Sequence, residues 1–220
     1  MKQLGEFWIP DVDAEPGSNL ERSRANFERG SGFQIAHLEA ALRHLSMFVL
    51  AIDGGANVGS WTRRMAAVFD QVHSFEPAPE VFACLARNIA DWGLSDKVIL
   101  HSTALSDRFE HVAIAAKSPG RRSISSRIEG AGETQAIPID SLNLPACSFL
   151  KLDLEGYEHR ALEGASRTIA KHRPWILIEN KPEHNVLYGS PDAAERYLES
   201  KGYTLVEKIG AKQIDWLYRP

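Results

Sequence analysis

The segment Ala51-Ile52-Asp53-Gly54-Gly55-Ala56-Asn57-Val58-Gly59-Ser60 most constrains what this chain can fold into. An apolar run meets a glycine-rich turn, and residues of helical character follow. Residues 48–52 are apolar throughout, as expected of a strand covered on both faces in a parallel sheet. A second strand is expected over residues 72–75 and closes on Glu76. A glycine turn between strand and helix lets a charged ligand approach the backbone. An acid at the end of the second strand suits a ribose diol. Together they point to a nucleoside-containing cofactor.

The spelling of the turn narrows the choice. A dinucleotide site needs G-x-G-x-x-G opening the helix. Here Gly54, Gly55 and Gly59 come with Asp53 in front and Asn57 between. A carboxylate is unfavourable beside a pyrophosphate and acceptable beside a ligand that carries an ammonium and a sulfonium. No Gly-Lys-Ser/Thr follows, which removes the P-loop. The turn, with Asp53, Gly55, Asn57 and Gly59 at its fixed positions, resembles motif I of the class I S-adenosylmethionine-dependent methyltransferases.

The rest of the chain supplies a sheet for that turn. Helices are expected over residues 34–47, 60–69, 79–92 and 157–172, and over 191–201 with Ser190 as N-cap and Pro191 at the first position. Strands are expected over 98–102, 149–154, 175–179, 204–208 and 213–218. Residues 112–116 and 135–139 read as strands or edge extensions around a polar, solvated segment, 117–133. The first thirty residues, interrupted by Pro10, Pro16 and Gly17, read as a loop or arm with short helical pieces. Alternating strands and helices predict an α/β fold, a doubly wound, mostly parallel Rossmann-like sheet ending in an antiparallel hairpin.

Bulk properties bound the function. The 220 residues suffice for one α/β domain, here residues 31–220 behind an N-terminal arm of residues 1–30. A net charge of −4 argues against a nucleic-acid partner held by bulk charge. Cys84 and Cys147 form no disulfide framework or metal spacing, so a reducing, cytoplasmic setting is expected. The start lacks the apolar run of a signal peptide, and no apolar run is long enough to span a membrane.

Further phrases appear in order along the chain. Phe75-Glu76-Pro77 follows the second strand and Ala104-Leu105-Ser106-Asp107 the third. Lys151-Leu152-Asp153-Leu154-Glu155-Gly156-Tyr157-Glu158 comes next, then Ile178-Glu179-Asn180. This ordered set resembles the FkbM family of methyltransferases over roughly residues 52–181. The resemblance implies O-methylation of a sugar or small natural-product hydroxyl. It supports Asp53, Gly55 and Glu76 most firmly as cofactor residues.

Ligands of open α/β sheets bind beyond the carboxyl ends of the strands. Cofactor contacts are therefore expected from Asp53, Gly54, Gly55, Asn57, Gly59, Glu76, Pro77, Thr103, Ala104 and Asp153. Glu76 is expected on the ribose, and Pro77 with the 103–104 backbone beside the adenine. Asp153 and Glu179 are expected as acceptor-side acids and His184 as a base. Alternatively, the two carboxylates and Asn180 would ligate a divalent cation such as Mg²⁺. Lys151 is expected either to serve catalysis or to pair with a buried carboxylate. Lys117, Arg121, Arg122 and Arg127 would grip an anionic acceptor unless they lie on a solvated loop. Trp8 and Tyr188 would give a sugar an aromatic wall. The remaining histidines have no ligand-like spacing and carry no expected role. The competing functions are a methyltransferase acting on a nucleic-acid ribose or unusual base, and a non-catalytic cofactor-binding module.

Overall fold

Residues 50–54, 71–75, 98–101, 149–152 and 175–179 build the centre of a seven-stranded sheet in the computed structural model of the chain. The structure describes residues 1–11, 24–28, 32, 34–118 and 121–220, with side chains at all of these except 24, 116–118 and 121–126. In chain order the strands are β1 Lys2–Leu4, β2 Phe7–Ile9, β3 Leu50–Gly54, β4 Gln71–Phe75, β5 Val98–His101, β6 Ala104–Leu105, β7 Glu110–Ser118, β8 Arg121–Ala131, β9 Thr134–Ile137, β10 Phe149–Leu152, β11 Trp175–Glu179, β12 Thr204–Ile209 and β13 Asp215–Arg219. The α-helices are α1 Arg24–Glu28, α2 Ile35–Leu42, α3 Ser60–Ala66, α4 Pro79–Asp91, α5 Glu158–Glu163, α6 Ser166–His172, α7 Pro182–Asn185 and α8 Ala193–Ser200.

The main sheet runs β12-β13-β11-β10-β3-β4-β5. Its five central strands are parallel, and β13 lies antiparallel to both β11 and β12. The fold is the expected doubly wound α/β sheet, and the closing antiparallel hairpin is present. Its last strand lies inside the sheet and its first strand forms the edge.

Alternation along the strands sorts side chains to the two faces. Ile52, Leu150, Leu152, Ile176 and Ile178 enter one core with Ala161, Leu162 and Ile169 of α5 and α6. Ala51, Phe149 and Leu177 enter the other with Leu38, Met65 and Leu85 of α2, α3 and α4.

The expected single helix over 157–172 is two. Asp140 explains the break: its backbone N–H donates to the Gly164 carbonyl at 2.8 Å, and its carboxylate accepts the N–H groups of Arg167 and Thr168, each at 2.8 Å. A carboxylate on free N–H groups at a helix start is a cap, here supplied from a distant segment. The helix expected from Pro191 begins at Ala193, with Asp192 in the N-cap place and Ser190 hydrogen-bonded to its carboxylate.

The polar segment expected as a solvated loop is instead sheet. β7 and β8 form a long hairpin in a second sheet ordered β6-β9-β7-β8. The arm likewise begins as a β-hairpin. Phe7 packs at 4.9 Å against both Phe27 and Trp92. Asn88 of α4 accepts the Trp8 N–H at 2.6 Å and donates to the carbonyls of Trp8 (2.9 Å) and Val58 (2.8 Å). No helix among the described residues is long and apolar enough to cross a membrane.

Asn88 is wholly buried and satisfies three backbone groups at once. Asn88→Ala strands them, and each buried orphan costs about 1–3 kcal/mol. A loss of about 2–4 kcal/mol is expected from the midpoint of urea unfolding. A loss below about 0.5 kcal/mol would show that the hairpin does not depend on this anchor.

Candidate active site

The carboxyl ends of the central strands border a cavity of about 620 Å³. Its floor is the turn after β3. The N–H groups of Gly55 and Ala56 both donate to the Phe75 carbonyl, at 3.0 and 2.9 Å, so the turn folds over the end of β4. Gly55 is required there. Its φ is +75°, and a Cβ at this position would stand 2.0 Å from the Asp153 carbonyl oxygen.

Asp53 and Lys151 are register partners on β3 and β10 and therefore project to the same face. The Lys151 ammonium lies 2.9 Å from the Asp53 carboxylate and also donates to the carbonyls of Gly54 (2.9 Å) and Gly55 (2.8 Å). Thr62 donates to the other Asp53 oxygen at 2.7 Å. Burial pulls the lysine's pKa down, but the charges of Asp53, Asp153 and Glu179 and the hydrogen bond to Asp53 together more than reverse this and raise it. Of the two expectations for Lys151, the buried ion pair is the one observed.

Glu76 is buried on the opposite side of the turn. One carboxylate oxygen accepts the Asn57 N–H at 3.0 Å and the other the Ala78 N–H at 2.9 Å. Burial pushes its pKa up to about 7 against these two hydrogen bonds. The Asn57 side chain turns back onto the Val58 N–H at 2.7 Å.

Across the cavity stand Asp153 and Glu179, with Glu158 buried beside them. Asp153, Glu158 and Glu179 each bring a carboxylate oxygen within 4.8 Å of the others. Burial, then the charges of Asp153 and Glu155, push Glu179 up to about 10, although Lys181 sits 2.6 Å away. Burial also raises Glu158 to about 7, while its carboxylate accepts the Leu154 N–H at 2.6 Å. A side-chain hydrogen bond between Asp153 and Glu179 acts in the same upward direction on Glu179.

The cavity gathers Gly55, Asn57, Glu76, Pro77, Thr103, Ala104, Asp153 and Glu179 from the expected site. Asp53, Gly54, Gly59 and His184 are not on its wall. Asp53 is fully buried, with its oxygens taken by Lys151 and Thr62. Gly54 lies within β3, and Gly59 closes the turn against Leu85. His184 lies on α7 with Nδ1 3.1 Å from Glu155. Asn180 is also off the wall, its side-chain carbonyl held by Asn185 at 2.8 Å, and Glu158 completes the acid group in its place.

The expected acceptor features also move. Trp8 is fixed to α4 through Asp91 (2.8 Å) with Arg87 over its ring, and the Tyr188 hydroxyl donates to the Ile128 carbonyl at 2.6 Å. Neither lines the cavity. Its aromatic residues include Trp61, Tyr157 and Phe75. Arg127 does reach the wall, where its Nε donates to Glu129 at 2.8 Å. The side chains of Lys117, Arg121 and Arg122 lie outside those described. Residues the sequence reading missed include His37, Glu155 and Lys181. Only Glu155 carried a signal, its place in the phrase after β10.

Comparison with known proteins fits this geometry. The methyltransferase FkbM domain model matches residues 53–205. Among solved structures, an FkbM methyltransferase from Methylobacillus flagellatus is 21% identical with a TM-score of 0.54. The match covers 79% of this chain, which spans 44% of that protein. A precorrin-8w decarboxylase from Methanobacterium thermoautotrophicum is 14% identical over the whole of both chains, TM-score 0.54. M. capricolum TrmK, solved with S-adenosylhomocysteine, is 8% identical with a TM-score of 0.50, over 83% of this chain and 65% of that one. No curated protein matches. At these identities the solved structures speak for the fold. With the turn after β3, the acid after β4 and a domain match over most of its length, the chain belongs to the FkbM methyltransferase family.

Proposed function

We propose that this chain is an S-adenosylmethionine-dependent O-methyltransferase acting on a hydroxyl of a sugar, glycan or small natural product. The observation that carries the reading is that one cavity joins two unlike walls. One wall has the glycine turn and Glu76, and the other has Asp153, Glu155 and Glu179. Its volume falls within the range of small-molecule sites.

In this reading Glu76 accepts hydrogen bonds from the ribose hydroxyls. Pro77, Thr103 and Ala104 border the adenine, and the backbone from Gly55 to Asn57 faces the cofactor's amino-acid end. The cofactor supplies an electrophilic methyl group on a sulfonium. The protein's part is to hold an acceptor oxygen in line with it and to remove a proton. The acids opposite suit a hydroxyl-rich acceptor, because carboxylates accept O–H donors. A nucleic-acid acceptor fits less well. Lys151, Lys181 and Arg127 already hold carboxylate partners, which leaves Lys212 among the described lysines and arginines of the cavity wall for a phosphate backbone. A binding module without turnover would show cofactor affinity alone.

A divalent cation such as Mg²⁺ would be held by Asp153, Glu158 and Glu179. It would have to displace the Lys181 ammonium from Glu179, so the proposed chemistry proceeds without it.

The direct test is calorimetric titration with S-adenosylmethionine, followed by a labelled-methyl screen over sugar, glycan and small hydroxylated acceptors, with structured RNA alongside. Methyl transfer to a hydroxyl acceptor is expected. Label on RNA alone would replace the reading with the nucleic-acid one.

The raised pKa of Glu76 gives affinity a pH dependence. Protonation removes an acceptor oxygen, so cofactor affinity should fall about tenfold from pH 8 to pH 6, following the ionised fraction of a group titrating at about 7. Glu76→Gln should bind weakly and without that slope. A variant retaining both affinity and slope would remove Glu76 from the ribose.

Treatment with EDTA should leave turnover within about twofold of the untreated enzyme, since the Lys181 ammonium already lies against Glu179 where a cation would have to sit. Loss of turnover restored by Mg²⁺ would assign the acids to a metal instead.

A further inference from the structure

His37, on the cavity wall, and the buried Asp215 behind it form a pair that the function above leaves unused. His37 is on α2 and Asp215 opens β13, yet the ring Nδ1 lies 2.6 Å from the Asp215 carboxylate. The carboxylate side chain is 9% exposed and the ring 24%. His37 lines the cavity. Among the described residues its Nε2 makes no hydrogen bond.

Two features hold the ring in place. The link between β12 and β13 carries Gly210 at φ +84°, and a Cβ there would stand 2.4 Å from His37 Cε1 and 2.7 Å from Nε2. Only glycine leaves room for the ring. Asp215 is the register partner of Glu179, which fixes the carboxylate beside the acceptor-side acids. Lys151 and Asp153 act electrostatically on the Asp215 carboxyl, and Glu179, Lys181 and Lys212 share the cavity wall with His37.

We propose that His37 is the base that takes the acceptor's proton, with Asp215 as its positioning residue. A carboxylate at Nδ1 fixes the tautomer that leaves Nε2 as the acceptor, and it stabilises the cation that forms. The hydroxyl oxygen forms its bond to the methyl carbon while the carbon–sulfur bond breaks, and that electron pair stays on sulfur as the neutral thioether. The hydroxyl proton passes to His37 Nε2 and leaves to solvent after the product. This assigns to His37 the task that the sequence suggested for His184. The inference rests on the methyl-transfer reading above.

Three measurements test it. His37→Asn keeps a donor toward Asp215 but has no base. With an acceptor found by the hydroxyl screen, its kcat should fall about 10²–10³-fold while KM and the S-adenosylmethionine Kd stay within about threefold. Asp215→Asn should lower kcat and move the acid limb of the pH profile to lower pH, because an imidazolium without its carboxylate is less stable. The wild-type protein loaded with S-adenosylhomocysteine, read by ¹⁵N NMR, should show His37 protonated at Nδ1 and bare at Nε2 near neutral pH. This last readout needs no acceptor.

Unchanged kcat in His37→Asn, or weaker cofactor binding with normal kcat, would overturn the proposal and leave His37 as a tether or a cofactor contact. An Nε2-protonated tautomer would overturn it too. Failure of the underlying reading looks different, because the wild-type protein would then either not bind S-adenosylmethionine or transfer no label to any hydroxyl acceptor.

Discussion

The Lys151–Asp53 pair is the contact on which the site depends. It joins two neighbouring parallel strands at their carboxyl ends, and the same ammonium holds two carbonyls of the glycine turn. Both side chains are buried, and removing one partner of such a pair leaves an uncompensated charge, at about 3–5 kcal/mol. The turn's path and the place of Asp153 follow from it. The Asp153 N–H donates to the Gly54 carbonyl at 3.1 Å, and its own carbonyl occupies the space where a side chain at 55 would stand. The glycine turn and the strand end that carries Asp153 are therefore set by one cluster.

Much of the fold was legible because apolar alternation reports burial. The strands at 149–152 and 175–179 lie within or at their expected bounds, since each is largely apolar, broken in the first only by Lys151, and is closed by an acid, Asp153 after the first and Glu179 at the end of the second. The break between α5 and α6 was not legible. Its cap, Asp140, comes from another segment, and α-periodicity runs on across Gly164. The hairpin of β7 and β8 was hidden in a different way. Its polar composition resembles a loop, although Ile114 and Ile128 pair across it.

At the site, a strand-end acid marks position but not direction. Glu76 lines the cavity, whereas Asp53, equally prominent in the sequence, is turned into the sheet by Lys151 and Thr62. Pairings across long sequence separations left no local trace. His37 and Asp215 are 178 positions apart, and only the insertion of β13 beside β11 brings the carboxylate to the ring.

That insertion also bears on the order of assembly. Once β3 is in place, β4, β5, β10 and β11 can each find a neighbour among strands that precede them in the chain, but β12 cannot. It stays an unpaired edge until β13 enters between it and β11. An open, partly apolar edge of this kind is a template for wrong pairing during folding. β13, which carries Asp215, is the last strand of the sheet in chain order, so the glycine turn can be in place before the opposite side of the cavity is closed.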